Sequence, residues 1–541
     1  MAVIYYEPAN NAGFTLQNSD FSGNEAMEYG GAVFVETEQG TERVSLELAD
    51  CRFELNRSDD RGGAVNIAAN GSNSDYAVHH CVFYQNEASV SGGGLSVNIE
   101  GTSANSDISI DSCNFQQNIT MSSSFGCGSG AEAILRGANS NIEVTHSRFI
   151  ENSGAYFAGG MAILGGPPSG TGVVLVDSCT FEGNTSRNDG GMGIGSLPES
   201  GLFDYTISNC DFLDNQVDLF TGGLDLYSEA PANFLVENCT IEGNTAVEGA
   251  GGLGIATSSP GFQAVVKNSR ISNNTSPVGG AGIGASPAYN NNPGMTNSAS
   301  IRFENCLATG NNGASTVGLF QTGTFHFLNS TIAGNNAGGL ILEDNSSVSL
   351  QNTILYNPGF TEYQALTENV TLISIGGNLI GDGSLAAHAH TYDQQNADPL
   401  FAAMDDLRLT ENSPAVDAGV YSGDLPDTDI AGNERIINCV DIGAYESEFV
   451  VAMQCLTGNR EEAVSKLALS PNPATDFIRL QLPESISGPI ALQLIDAQGR
   501  LVRQESITPG QRLSIAGLAR GLYVVKGVVD EVVYVGRFVK E

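Results

Sequence analysis

A short string recurs twelve times along the chain, and this repeat restricts the fold more than any other feature. Each copy has an apolar strand, then a Cys, Ser or Thr, and then a second short apolar strand. Successive copies lie 23 to 37 residues apart, a spacing typical of solenoids. The Cys, Ser or Thr positions, which we call the reference column, are Ser19, Cys51, Cys81, Cys113, Ser147, Cys179, Cys210, Cys239, Ser269, Cys306, Ser330 and Thr353.

Two apolar columns flank the reference column. The residue three positions before it and the residue two positions after it are apolar in all twelve copies. Apolar and polar residues alternate within each strand, as they do in β-strands with one buried face. The alternation changes phase at the reference column, which indicates a bend. The residue just before the column is usually Asn, Asp, Ser or His, and these residues tolerate bends.

Asparagine stands five residues after the reference column in eleven of the twelve copies. Coils stacked about 4.8 Å apart would let each of these amides hydrogen-bond to the next. Most copies continue with a glycine pair and a third apolar strand, as in Gly222-Gly223 and LDLY. The sequence therefore predicts an all-β, parallel β-helix solenoid of about 12 or more coils, followed by a small C-terminal β-sandwich. Right-handed crossover is the default for such connections.

These columns resemble those of the pectate-lyase-like, right-handed β-helix superfamily. We assign residues 1–395 to this β-helix. The resemblance implies that the longer coils carry loops inserted at one turn, such as residues 286–298. Such loops are the usual binding surface of a solenoid.

Residues 396–446 contain the strings ADPLF, DLRLTENSPAVDAG, DIAGNERI and VDIGAYE. In this order they resemble the choice-of-anchor Q segment that follows many bacterial surface β-helices. We expect the segment to cover the last coil, because an open strand edge promotes aggregation. Residues 447–465 are interpreted as a linker.

Residues 466–541 contain five predicted strands in which apolar and polar residues alternate: FIRLQL, IALQLID, RLVRQESI, QRLSIAG and LYVVKG. The order SPNPATD, IDAQGRLV and LARGLYVVKG resembles the type IX secretion (type A) C-terminal sorting domain. This resemblance implies contact with the type IX secretion machinery. It also implies an extracellular location, or one at the outer-membrane surface of a Gram-negative bacterium.

The net charge of −39 lies entirely in residues 1–446, because residues 447–541 hold ten acidic and ten basic side chains. Such a surface repels nucleic acid and acidic lipid. Ca²⁺ is the cation it could attract, although the fold requires no cofactor. No apolar stretch is long enough for a transmembrane segment, and we expect a monomer. The N-terminus lacks signal-peptide features and enters the repeat at once, so we expect Met1 to lie within a longer precursor.

Seven of the ten cysteines occupy the reference column. Serine replaces cysteine elsewhere in that column, so we predict small, buried, free thiols there. Cys439 and Cys455 are 16 residues apart, and the sequence leaves open whether they form a disulfide. Cys127 has no evident partner.

No catalytic cluster emerges from the sequence. Asp59 and Asp60, between Arg57 and Arg61, form the densest group of charges, and a solvated turn explains them better than a site. His388 and His390 would share one face of an extended segment, yet no third metal ligand is evident. Catalytic and metal-binding residues thus stay unknown. We expect a non-catalytic protein that binds a polysaccharide or another surface ligand, with a polysaccharide lyase or glycoside hydrolase as the alternative.

Overall fold

The computed structural model describes residues 2–6, 11–122, 124–167, 170–259, 261–287, 299–319, 323–343, 345–451, 455–457, 464–481, 490–496, 501–508, 511–529 and 532–540. The chain forms two compact units, Met1–Leu456 and Thr457–Glu541. The boundary between them falls within the predicted linker, residues 447–465. The predicted domain boundaries themselves stay predictions. Most of the predicted loop 286–298, residues 288–298, lies outside the described residues.

The first unit is a parallel β-helix, in which each coil contributes one strand to each of three long parallel sheets. Sheet 1 holds the strands that precede the reference column. Its 13 strands, in spatial order, are Gly13–Gln17, Ser45–Ala49, Asp75–His79, Asp107–Asp111, Asn141–Thr145, Gly172–Asp177, Phe203–Ser208, Ala232–Glu237, Phe262–Lys267, Ala299–Glu304, Gly323–Leu328, Ser346–Gln351 and Thr371–Gly376.

Sheet 2 holds the short strands that follow the reference column. Its 14 strands are Asp20–Ser22, Arg52–Glu54, Val82–Tyr84, Asn114–Gln116, Arg148–Ile150, Thr180–Glu182, Asp211–Leu213, Thr240–Glu242, Arg270–Ser272, Leu307–Thr309, Thr331–Ala333, Ile354–Tyr356, Leu379–Ile380 and Gln394–Gln395. These counts confirm the predicted solenoid of about 12 or more coils.

Sheet 3 holds the third strand of each coil, which in most coils follows or contains the glycine pair. Its strands are Ala2–Tyr6, Val33–Thr37, Val65–Ala69, Leu95–Ile99, Ala131–Leu135, Met161–Gly165, Met192–Ser196, Leu224–Ser228, Leu253–Thr257, Thr275–Pro287, Asn312–Leu319, Asn336–Leu342 and Tyr363–Ala365. Two-residue strands precede several of them: Glu25–Ala26, Arg57–Ser58, Glu87–Ala88, Ile119–Thr120, Thr185–Ser186, Gln216–Val217 and Thr245–Ala246.

The inner faces of the three sheets enclose one continuous apolar core. The middle residue of each three-residue strand of sheet 2 points into this core. Seven of these residues are phenylalanines, from Phe21 to Phe212, whose rings stack with centroids 4.6 to 5.2 Å apart. Offset aromatic stacking adds to the free energy of apolar burial. The apolar column predicted two residues after the reference column is thus the axis of the core.

The predicted asparagine ladder is present and fully hydrogen-bonded. From Asn24 to Asn335, each side-chain Nδ2 donates to the Oδ1 of the asparagine in the next coil, at 2.8 to 3.1 Å. The ladder has one more member than predicted, because Asn357 sits four rather than five residues after its reference residue and accepts from Asn335. Asn357 then donates to the carboxylate of Glu362, where the ladder ends.

We expected the segment 396–446 to cover the last coil. Residues 382–388 cover it instead. Leu385 is buried in the main core, and the 3₁₀-helix Ala386–His388 follows it. Asp382 and Ser384 accept hydrogen bonds from the backbone N–H groups of Glu362 and Tyr363. This short stretch can cover the end because it connects Leu379–Ile380 and Gln394–Gln395, the last two strands of sheet 2.

Residues 396–446 instead pack along the outer face of sheet 2. Outward-facing Leu307, Ala333 and Ile354 contact apolar side chains of this segment. Arg435 is fully buried and donates to the carbonyl oxygens of Gly443 and Ala444 and to Asn305 of sheet 2's adjoining turn. The expected end cap was wrong because the outer face of sheet 2 is apolar in these coils and needs a cover of its own. The resemblance to choice-of-anchor Q stays a prediction.

The cysteines of the reference column are buried and unpaired, as predicted, and so is Cys127. Their thiols donate to nearby backbone carbonyls, as Cys81 does to His79. Cys439 and Cys455 form a disulfide, which resolves the alternative that the sequence left open. This disulfide fastens the chain that leaves the β-helix to the segment beside sheet 2.

The second unit contains two small sheets around one apolar core. One sheet orders Val464–Lys466, Val532–Lys540, Gly521–Val529, Ile490–Asp496 and Leu501–Ile507, and the other orders Ala468–Ser470, Phe477–Gln481 and Arg512–Ser514. All pairs are antiparallel except the first. The five predicted strands are all present.

Candidate functional site

Alternate residues of the sheet 3 strands from Val33–Thr37 onward face away from the core, and several of these outward side chains are polar. In Val65–Ala69 the outward residues are Asn66 and Ala68, and in Leu95–Ile99 they are Ser96 and Asn98. Glu132 and Asp225 hold the equivalent positions in later coils. Many of these outward side chains are nevertheless buried. Buried polar groups on one exposed sheet face are candidates for ligand contacts.

The first concave region on this face, which we call the Asn66 groove, has a volume of about 470 Å³. It lies over the second to fifth strands of sheet 3, from Val33–Thr37 to Ala131–Leu135. Its lining residues are Tyr29, Phe34, Glu36, Arg61, Asn66, Ala68, Asn70, Asn98, Glu100 and Arg136.

An ion pair forms one wall of the Asn66 groove. Arg61 Nη1 lies 2.9 Å from Glu132 Oε2, which also accepts from Ser96 Oγ at 3.0 Å. Glu132 is 1% exposed. Burial raises the pKa of Glu132, and the guanidinium of Arg61 opposes this shift. The pairing orients Arg61, which reaches the groove from the turn before the glycine pair.

Amides and aromatic rings form the rest of the Asn66 groove. Asn66 is 3% exposed, and among the described residues its Oδ1 has no hydrogen-bond partner. Asn98 donates to Ser96 Oγ at 3.1 Å. The rings of Tyr29 and Phe34 stack with centroids 5.5 Å apart. Hydrogen-bonding amides beside an aromatic surface suit a ligand that has both hydroxyl groups and apolar faces.

A second concave region, which we call the Asp225 pocket, has a volume of about 550 Å³. It lies over later coils on the same face of sheet 3. Glycine and alanine residues of the sheet form much of its lining. The larger or polar lining residues are Phe220, Thr221, Asp225, Glu248, Val278 and Glu343.

The charged turn singled out in the sequence has residues that face solvent and one residue that lines the Asn66 groove. Arg57 and Asp59 have about half of their side-chain surface exposed and face each other across 3.8 Å. Asp60 lies 3.9 Å from Arg61. Of the four residues only Arg61 lines the Asn66 groove. The interpretation as a solvated turn therefore fits Arg57 and Asp59, but Arg61 belongs to the candidate site.

His388 and His390 have different surroundings. His388 is exposed and packs edge-on against Tyr363, with ring centroids 5.8 Å apart. His390 accepts from the backbone N–H of Tyr392 at its Nδ1. Among the described residues, no three His, Cys, Asp or Glu side chains are grouped closely enough to hold a metal ion. The described part of the chain likewise contains no helix long and apolar enough to cross a bilayer.

Comparison with known proteins gives two family matches. Residues 167–355 match the family described as "Right handed beta helix region", and residues 468–541 match "Secretion system C-terminal sorting domain". This chain is an exported, right-handed β-helix protein. Its sorting domain indicates interaction with the secretion machinery and delivery to the cell surface or the extracellular space.

Other comparisons add little about this exported protein. A solved structure described as "Crystal structure of pectate lyase Pel9A" aligns over 82% of this chain and 87% of its own, with 12% sequence identity and a TM-score of 0.31. No curated protein matches the chain.

Sequence reasoning missed Asn66, Asn98, Glu132 and Asp225. The available signal was a polar residue between two apolar residues directly after a glycine pair, as in Leu224-Asp225-Leu226. That alternation indicates an outward side chain but not a buried one. Burial depends on residues from other turns that pack over the sheet, and their positions are not encoded in the repeat.

Proposed function

We propose that this exported protein binds a polysaccharide along the outer face of sheet 3 without cleaving it. The single observation that carries the proposal is the buried, unpartnered Oδ1 of Asn66 in the Asn66 groove. A buried acceptor without a donor costs about 1 to 3 kcal/mol. A sugar hydroxyl could supply the missing donor.

The other groove residues support a sugar as the ligand. Tyr29 and Phe34 offer apolar surface to the C–H face of a pyranose ring. Arg61 and Arg136 offer guanidinium donors to hydroxyl oxygens. Because the body carries the whole charge of −39, neutral or cationic polysaccharides suit it better than uronate polymers at low salt.

The test compares affinities for neutral, anionic and cationic oligosaccharides, measured by calorimetry on the purified full chain. Asn66→Ala should weaken binding of the preferred oligosaccharide about tenfold, which corresponds to about 1.4 kcal/mol. The matched control is Asn233→Ala on the outer face of sheet 1, which should leave affinity unchanged. Failure of every oligosaccharide to bind would contradict the proposal.

The same incubations distinguish binding from the enzymatic alternative. We expect no unsaturated ends and no new reducing ends after prolonged incubation with each polymer. Sustained release of either product would overturn the non-catalytic assignment and favour a lyase or a hydrolase, respectively.

A further inference from the structure

Asp225 is an acidic residue in an unusual position. Its neighbours Leu224 and Leu226 point into the core, so Asp225 points outward from sheet 3. It is nevertheless 1% exposed. Thr221 Oγ1 donates to its Oδ1 at 2.7 Å, but among the described residues its Oδ2 has no hydrogen-bond partner. A buried carboxylate oxygen without a donor is costly unless a ligand supplies one.

The neighbouring coils have glycine where they pack closely against Asp225 and its surroundings. A Cβ atom on Gly254 would lie 1.9 Å from Thr221 Oγ1 and 2.5 Å from Asp225 Oδ1. Glycine at this position therefore lets Thr221 and Asp225 lie against the sheet. In the next coil, a Cβ on Gly284 would lie 2.9 Å from the Cβ of Ala250. Gly254 and Gly284, which we call the glycine floor, line the pocket beside a carboxylate that Thr221 holds in place.

The electrostatics of the Asp225 pocket favour a cation. Glu248 and Glu343 also line it, and of the described residues along its walls none is basic. Phe220 and Val278 add apolar surface to the same walls. Since no grouping of carboxylates suitable for a metal ion is found in the described residues, a single ammonium group on a larger body fits these features better than a bare divalent cation.

We propose that the Asp225 pocket binds an amino sugar with a free amine, within a glycan that lies on the outer face of sheet 3. The ammonium donates to Asp225 Oδ2, and the ring lies over the glycine floor. A sugar is favoured over a lysine side chain because the pocket, at about 550 Å³, is wider than one alkyl chain fills and shares its sheet face with the Asn66 groove. This inference rests on the proposed function and names the class of its glycan.

The distance between the two regions is compatible with one ligand. The strand Val65–Ala69 and the strand Leu224–Ser228 are five coils apart in sheet 3. At about 4.8 Å per coil, this separation is about 24 Å. A glycan of several residues reaches from one region to the other.

The experiment measures calorimetric affinities of the full chain for a tetramer of β-1,4-linked glucosamine and for the same tetramer fully N-acetylated. The wild type should prefer the free-amine tetramer by at least tenfold. Asp225→Asn, which keeps the size of the side chain, should remove this preference by weakening binding of the free-amine tetramer. The matched control Asp75→Asn, on the exposed outer face of sheet 1, should behave as the wild type does.

A second variant protects the test against a folding defect in Asp225→Asn. Glu248 is exposed at the rim, so Glu248→Gln should fold normally and weaken the free-amine tetramer about threefold. Equal affinity of the wild type for both tetramers, or an unchanged preference in both variants, would overturn the inference while the proposed function stands. Binding of tetralysine as tight as that of the amino sugar would overturn the sugar assignment. If neither tetramer nor any other glycan binds, the proposed function fails as well.

Discussion

Single residues with left-handed backbone determine where each coil bends. The residue just before the reference column has a φ between 46° and 55° in all twelve repeats. Most of these residues are asparagine, and the others are Asp, Ser or His. Short polar side chains reduce the cost of this conformation, because they hydrogen-bond locally. The predicted bend is thus confirmed, and its cause is one αL residue per coil.

A second left-handed position precedes most ladder asparagines, and the sequence did not reveal it. This position is occupied by glycine in some coils, as at Gly23 and Gly183. Leu55 and Glu151 occupy it in others and also have a positive φ, at 56° and 52°. Leucine has no local hydrogen bond that favours this region. The register of the neighbouring strands imposes the conformation here, so residue type alone could not predict it.

Asp225 makes a pH-dependent contribution to stability. Burial raises its pKa to about 6, above the ordinary value of 3.8. The folded state therefore binds more protons than the unfolded state between these values, and stability falls as pH rises through this interval. The loss of stability is complete once the carboxyl is ionised in both states, above about pH 7.

We accordingly expect Asp225→Asn to have the same melting temperature as the wild type near pH 4. It should melt a few degrees higher at pH 7, because the amide carries no charge to bury. Thermal unfolding at both pH values measures the difference. Glu248 and Glu343 are present in both proteins, so the two proteins differ only at position 225. A gap that stayed constant between pH 4 and pH 7 would show that Asp225 is not the group responsible.

At the scale of elements, the asparagine ladder joins neighbouring coils at the turn after sheet 2. Each internal amide donates twice, as Asn184 does to Asn215 and to the carbonyl oxygen of Phe149. The backbone N–H of Asn184 donates to Asn215 Oδ1 as well. Every polar atom of the side chain is therefore satisfied without water, which explains why the ladder can be buried.

Removing one member of the ladder should lower the free energy of unfolding. Asn184→Ala removes the acceptor of the Asn152 backbone N–H, one of the two acceptors of Asn152 Nδ2, and the side-chain donor to the Phe149 carbonyl oxygen. Each buried group left unsatisfied costs about 1 to 3 kcal/mol. We expect a lower melting temperature and faster proteolytic cleavage near this coil, detected by limited proteolysis and mass spectrometry. Asn233→Ala, on the outer face of sheet 1, is the matched control, and equal cleavage of the two variants would contradict the role of the ladder.

The repeat allowed the fold to be predicted because packing acts on every coil alike. Inward columns, the bend and the ladder recur, so twelve copies of weak information add to a clear signal. The candidate site could not be predicted this way, since Asn66 and Asp225 are departures within the repeat. Their burial depends on side chains such as Thr221 and on glycines in adjacent coils, which meet only in the folded chain.

At the scale of the whole molecule, the excess of acidic charge and the sorting domain lie in different units. The β-helix unit carries the excess of negative charge, whereas residues 447–541 are neutral. Each unit has an apolar core of its own. This separation lets the sorting domain serve as an address that is independent of the β-helix unit.

We therefore expect deletion of residues 466–541 from the native gene to abolish delivery to the surface and the medium. The truncated protein should accumulate inside the cell in folded form, because the core of the β-helix unit is intact. Immunoblots of cell fractions and medium measure its location, and protease resistance of the retained protein measures folding. Unchanged amounts at the surface or in the medium would show that the domain is not the address.

The asparagine ladder also has a direction, and this direction limits how the protein can lengthen in evolution. Every bond from one ladder asparagine to another runs toward the C-terminal end. The last acceptor, Glu362, is a carboxylate that accepts without donating onward when ionised. A duplicated coil inserted anywhere between Asn24 and Asn335 would find a donor on one side and an acceptor on the other. A coil added after Glu362 would find neither. Solenoids of this kind should therefore grow from the middle, and their ends should be inherited as fixed pieces.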